Sequence, residues 1–218
     1  MTFELPHKLT DIPKPFLIVC EGYGDVRLID ELLVQQKIQQ ACVGCPSRDF
    51  APNIAQYMKA LKALIDIQAK TVQGILIVVD ADTSRDASFN SACEALRGAS
   101  FPAPARPFSI EELNPRVAVY VMPGENRDGT LEHLLLDAAY RKNPKVEACI
   151  DAMFHCIGTP QTTANQQAKM RLSTLVGATC KGNAWASPAM IWYESENPVP
   201  IDSPEFDHLS DFLRRFSA

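Results

Sequence analysis

Carboxylates recur in the sequence wherever a run of apolar residues stops. Phe16-Leu17-Ile18-Val19-Cys20 leads into Glu21-Gly22-Tyr23-Gly24-Asp25, and Ile75-Leu76-Ile77-Val78-Val79 leads into Asp80-Ala81-Asp82. Val117 to Met122 leads through a short loop to Glu132. Asp80 and Asp82 point the same way if strand geometry continues through them. Gly22 and Gly24 permit a tight turn across which Glu21 and Asp25 face one site. Carboxylates gathered in one crevice repel, so either some take up protons or a cation sits among them. Oxygen-only ligands suit a hard divalent ion; Mg²⁺ takes one or two carboxylates, several waters and a substrate phosphate. Two such ions roughly 4 Å apart can stabilise both the attacking and the leaving oxygen of a phosphoryl transfer.

The elements that must position these groups are legible around them. The apolar runs read as buried strands of a parallel or mixed sheet. Val26, Ile29, Leu32 and Leu33 keep a helical period after the first run. Pro52 suits the first turn of a second helix, which Ile54, Tyr57, Met58, Leu61, Leu64 and Ile65 carry to about residue 69. Phe89, Ala92, Cys93 and Leu96 mark a third, and residues 99–115 read as a proline-rich loop. A helix starts near Thr130, capped by Asp128 or Thr130. Beyond Pro144 the pattern is helical at about 145–157, 164–178 and 204–216. Strands alternating with helices predict an α/β fold with helices on both faces of the sheet and a helical C-terminal part. The expected organisation is one domain over 1–218, with a core at 15–142 and the helical part at 143–218. Ligands of such sheets bind beyond the carboxyl ends of the strands, where every acidic motif here falls.

Composition narrows the function classes. The 218 residues are 46% hydrophobic and 22% charged, as in ordinary globular chains, and the net charge is −5. That balance argues against a broad basic surface for gripping duplex DNA. No run approaches the roughly 20 apolar residues of a membrane span, and Met1 to Pro15 has no apolar core of a signal peptide, so a cytoplasmic location without membrane contact is expected. The seven cysteines form no disulfide framework. Cys42 and Cys45 make one C-x-x-C, but a structural zinc site needs a second pair, so small buried side chains are the preferred reading.

The order of motifs, Val19-Cys20-Glu21-Gly22 followed by Val78-Val79-Asp80-Ala81-Asp82, resembles the Toprim domain of topoisomerases, primases and OLD-family nucleases. The resemblance is closer to small stand-alone Toprim-like proteins related to the OLD nucleases. Their E-G-x-x-D form is matched by Glu21 to Asp25, and their M-P…G-x-L-E segment by Met122-Pro123 and Gly129-Thr130-Leu131-Glu132. Ala168-Lys169-Met170-Arg171 is similar to their late lysine motif, and Ser203-Pro204…Leu209…Phe212-Leu213 to their last helix. The resemblance spans about 15–216. It implies a Toprim-like fold and a metal shell of Glu21, Asp25, Asp80, Asp82 and Glu132 holding one or two Mg²⁺ or Mn²⁺ ions. It also implies Glu21 as general acid/base and Lys169, with Lys181 as the weaker choice, to offset charge on the phosphate. The implied activity is hydrolysis of DNA or RNA phosphodiesters; a part in phage defence is analogy alone. Thr130 stands where OLD-type nucleases often carry serine, a mild departure. No G-x-x-x-x-G-K-[ST] run is present, so ATP-driven regulation would need an ATPase partner protein.

Competing readings stand beside this one. Asp25 alone suits a helix cap, Asp80-Ala81-Asp82 a turn, and Glu132 the positive start of a helix. The domain could be a non-cutting subunit or regulatory module that binds nucleotide or nucleic acid, or a domain with no metal at all. Oligomeric state is left open, a homo-oligomer included. Tyr23 is expected to pack or to position substrate rather than act as a topoisomerase nucleophile. Trp185 and Trp192 suit packing more than base stacking, His133 a helix surface, and Arg85 and Arg127 solvated loops or phosphate contacts.

Overall fold

The computed structural model describes residues 12–47, 51–68, 71–125, 128–158, 162–180, 188–193 and 197–218. The apolar run Phe16–Cys20 is strand β1, and helix α1 spans Tyr23–Gln35. Strand β2 (Ala41–Gly44), helix α2 (Ile54–Gln68), strand β3 (Gly74–Asp80) and helix α3 (Arg85–Gly98) follow. A two-residue strand β4 (Ile110–Glu111) precedes β5 (Arg116–Met122). Helices α4 (Leu131–Lys142), α5 (Pro144–Ile157), α6 (Ala164–Thr179) and α7 (Asp207–Phe216) complete the chain, with short 3₁₀ turns at Pro188–Tyr193 and Pro204–Phe206.

The five strands form one sheet in the order β2-β1-β3-β5-β4. All neighbours are parallel except β4, which runs antiparallel to β5 at one edge. The fold is therefore α/β with a mostly parallel sheet and a helical C-terminal part. Side chains alternate between the sheet's faces, and each face has its own apolar core. Ile18, Cys20, Leu76, Val78, Ala118 and Tyr120 pack against α1 and α4 to α7. Leu17, Val19, Ile75, Ile77, Val119 and Val121 pack against α2 and α3. Burial on both faces explains why these strands are continuous apolar runs rather than alternating ones.

Helix α7 runs along the first face and closes the end where the strands begin. Phe216 meets the ring of Phe16 edge-on at 5.6 Å, and its carbonyl accepts from Arg116 Nη1 at 2.9 Å. Gly74 is wedged beneath them. A Cβ there would lie 2.7 Å from Phe16, 2.9 Å from Arg116 Cγ and 2.9 Å from Phe216. Gly74→Ala is expected to cost about 2–3 kcal/mol through overpacking. A urea titration checks this: an unchanged midpoint would show that the rings can yield.

The local expectations need small corrections. Pro52 stands just before α2 rather than in its first turn, because the carboxamide oxygen of Asn53 accepts from Gln56 N–H (3.0 Å) at the helix start. Residues 99–115 are not all loop, since β4 pairs there. Strand β2 has no sequence signal of its own. Cys20, Cys42, Cys45, Cys93 and Cys180 are buried, as small apolar groups should be, but Cys149 and Cys156 are exposed on α5. Trp192 packs against the first core. Lys181, Trp185 and Arg127 lie outside the described residues. Among the described residues no helix is long and apolar enough to cross a membrane.

Candidate functional site

The chain crosses from β2 over to the far side of β1 to make β3, so β1 and β3 are neighbours whose helices leave toward opposite faces. This is a topological switch point, and Glu21 and Asp80 stand at its carboxyl edge. Asp80 N–H donates to Glu21 Oε2 at 3.4 Å. Asp25, in the first turn of α1, is only 6% exposed, and its Oδ2 accepts from Gly22 N–H at 2.9 Å. The capping role of Asp25 and its place in the site thus coexist.

Helix α4 begins against the same edge. Thr130, fully buried, is its N-cap, and Thr130 N–H donates to His133 Nδ1 at 3.1 Å. His133 therefore braces the helix start rather than lying on a helix surface. The next N–H, from Leu131, donates to Asp80 Oδ1 at 2.9 Å. Leu131 also crowds α1: a Cβ on Gly24 would lie 3.2 Å from its Cδ2. Glu132 is half-buried, and its buried Oε2 has no hydrogen-bond partner among the described residues. Main-chain bonds stitch the loops beneath: Ala81 N–H to Met122 O and Asp82 N–H to Gly129 O, both 2.8 Å. Asp128 does not cap α4; its Oδ1 accepts from Arg85 N–H at 3.2 Å, at the start of α3.

Gly129 makes this junction possible. Its φ is +139°, and a Cβ would lie 3.0 Å from His133 Nδ1. Gly129→Ala is expected to cost about 1–3 kcal/mol through a strained backbone and a displaced imidazole. Chemical denaturation checks the magnitude, and a neutral result would show that the turn accepts a side chain.

Electrostatics tie four carboxylates together. Asp80 is pushed up to about 9, first by burial and then by the charges of Asp25, Glu21 and Glu132. Asp25 rises to about 7 through burial, opposed by the Gly22 N–H and reinforced by Glu21 and Glu132. Glu21 is exposed at the rim, yet the protein packed around its carboxyl raises it. The Asp80 N–H opposes that rise, Asp82 adds to it and Lys169 opposes it. Helix N-termini favour carboxylates, but by about 1 kcal/mol at most in exposed settings, and here burial and like charge outweigh them.

Of the sequence-predicted residues, Glu21, Asp25, Asp80 and Glu132 come together. Asp82 does not continue the strand. β3 ends at Asp80, and Asp82 has φ +50°, which turns it outward beside Glu21 at the rim. There its Oδ1 accepts from Asn165 Nδ2 of α6 at 3.2 Å. Lys169, one turn along α6, is exposed and close enough to act on Glu21. The role of Asn165 had no signal in the sequence, because only the fold brings residues 83 apart into contact. Tyr23 is 40% exposed at the first residue of α1, with the Arg27 guanidinium 5.4 Å from its ring centre. Among the described residues no three His, Cys, Asp or Glu side chains already form a cage for a metal ion. Glu21, Asp25 and Asp80 lean instead on main-chain N–H groups.

The model of a family described as a protein of unknown function (DUF3226) matches residues 15–218. No curated protein and no solved structure matches.

Proposed function

We propose that this chain, which belongs to the DUF3226 family, is a divalent-cation-dependent hydrolase of nucleic-acid phosphodiesters. The observation that carries the proposal is the mutual crowding of Glu21, Asp25, Asp80 and Glu132 at one sheet edge, two of them raised far above an ordinary carboxyl. Such a cluster is costly when fully ionised and empty of cations.

The donor set suits Mg²⁺ or Mn²⁺. Every group is a hard oxygen ligand, and among the described residues the buried Glu132 Oε2 has no hydrogen-bond partner. Glu21, Asp80 and Glu132 would hold the ion, with Asp25 behind them and Asp82 at the rim. A cation bound there would polarise a phosphoryl oxygen and lower the pKa of a bound water.

The chain's own groups do the rest. Glu21, exposed at the rim, would accept a proton from the attacking water as its oxygen bonds to phosphorus and the P–O bond to the leaving oxygen breaks, that oxygen taking a proton from solvent. Lys169 offsets charge spreading over the phosphoryl oxygens, and Asn165 holds Asp82 in orientation. Purified protein with Mg²⁺ or Mn²⁺ is expected to cleave DNA or RNA, and Glu21→Gln to lose that activity. Protein that binds the ion but cuts neither nucleic acid would favour a binding module instead. Lys169→Met is expected to lower kcat by about 10²-fold with KM changed little. A loss confined to KM would assign it to substrate binding.

A further inference from the structure

A cleft of about 630 Å³ opens from the carboxylate edge onto the second face of the sheet. Glu21 and Asp82 form its mouth, and Val79 and Ala81 its floor. The first turn of α2 makes one wall and helix α3 the other, where Ala87, Ser88, Ser91, Ala92 and Ala95 leave the space open. Nothing in the role of the four carboxylates requires this space.

The lining chooses an occupant. Among the described residues around the cleft there is no Lys, Arg or His. Channels that follow a phosphate backbone are basic, and among the described residues a phosphate deep in this cleft would meet no side-chain cation. Instead Asn53, Thr83, Ser84, Ser88 and Ser91 offer neutral polar groups. Ser84 Oγ is occupied by Ala87 N–H (3.3 Å), the Asn53 carbonyl oxygen by Gln56 N–H (3.0 Å), and the Ser88 hydroxyl donates to Ala81 O (3.4 Å). The amide NH₂ of Asn53 and the hydroxyls of Thr83 and Ser91 suit the mixed donors and acceptors of a base edge or a sugar. The size falls among small-molecule pockets of roughly 300–1,000 Å³, enough for one or two nucleosides.

We propose that this cleft takes an unpaired nucleoside next to the phosphate held at the carboxylates, so that the chain acts on single-stranded or frayed nucleic acid rather than intact duplex. The inference rests on the hydrolase reading for the placement of the phosphate. A paired base sits inside its stack and reaches such a cleft only by unpairing, at a cost of a few kcal/mol.

Binding and cutting are measured separately. Labelled single strands of about ten nucleotides, as DNA and as RNA, are titrated with the full chain in Ca²⁺ and compared with the same sequences as blunt duplexes. Single strands are expected to bind about tenfold or more tightly than duplexes, and the DNA and RNA arms identify the strand. Ser88→Leu with Ser91→Leu, which fills the cleft, is expected to weaken that binding about tenfold; Asn90→Leu, on the same helix but outside the cleft lining, keeps it within about threefold. Equal affinity for duplex, indifference to the leucine pair, or no strand binding at all overturns the cleft assignment. Tight, cleft-dependent binding by a wild-type protein that hydrolyses nothing in Mg²⁺ or Mn²⁺ supports the cleft and overturns the hydrolase reading alone.

Discussion

Asp80→Asn is expected to abolish cation-dependent hydrolysis, by about 10³-fold or more, while making the metal-free protein more stable than wild type at pH 8. The two effects have one cause. Asp80 stands between Glu21, Asp25 and Glu132, and its ionised form is opposed by burial and by all three. An asparagine keeps the acceptor that Leu131 N–H uses, so the start of α4 stays capped. It removes the charge that a cation needs and that the empty fold tolerates poorly. The expected gain is about 1–3 kcal/mol at pH 8, read as a higher Tm in chelator. A residue that merely caps α4 would show no loss of hydrolysis and no gain in stability.

The second large effect is a pH window. Asp25 and Asp80 have folded-state values of about 7 and about 9, above the usual unfolded value of about 3.9. Below about pH 4 both groups are protonated in either state and cost nothing. As pH rises, the unfolded chain releases these protons first. The stability they contribute in the protonated form is lost through about 7 and is gone above about 9. Metal-free protein should therefore lose Tm steadily between pH 5 and pH 9. Millimolar Mg²⁺ or Mn²⁺ should restore it most at the alkaline end. A cation at about 100 times its Kd adds about 2.7 kcal/mol, several degrees for a chain of this length. A Tm that ignores both pH and divalent ions would contradict the electrostatic picture. In Asp80→Asn the slope with pH should flatten.

The sequence made the site's main members legible because each stands where an apolar run stops, and a parallel sheet brings such positions to one edge. Glu21, Asp25 and Asp80 follow from that rule, and Glu132 from the helix after β5. The same rule failed at Asp82, whose alternation with Asp80 assumed one more extended residue; a left-handed turn took its place. β2 is not legible in the sequence because Ala41 and Gly44 have little intrinsic strand preference, and pairing with β1 supplies what they lack. Asn165 and the cleft beside α3 depend on packing between distant segments, which periodicity does not encode. His133 replaces the usual Glu or Gln of a capping box, so its bracing role follows only from the geometry at Thr130.

The most direct test is an anomalous-difference map from crystals of the chain soaked in Mn²⁺. A peak bounded by Glu21, Asp80 and Glu132, with the buried Glu132 Oε2 turned toward it, is the expected result. Well-occupied manganese elsewhere on the molecule, with no density among these carboxylates, would contradict the account.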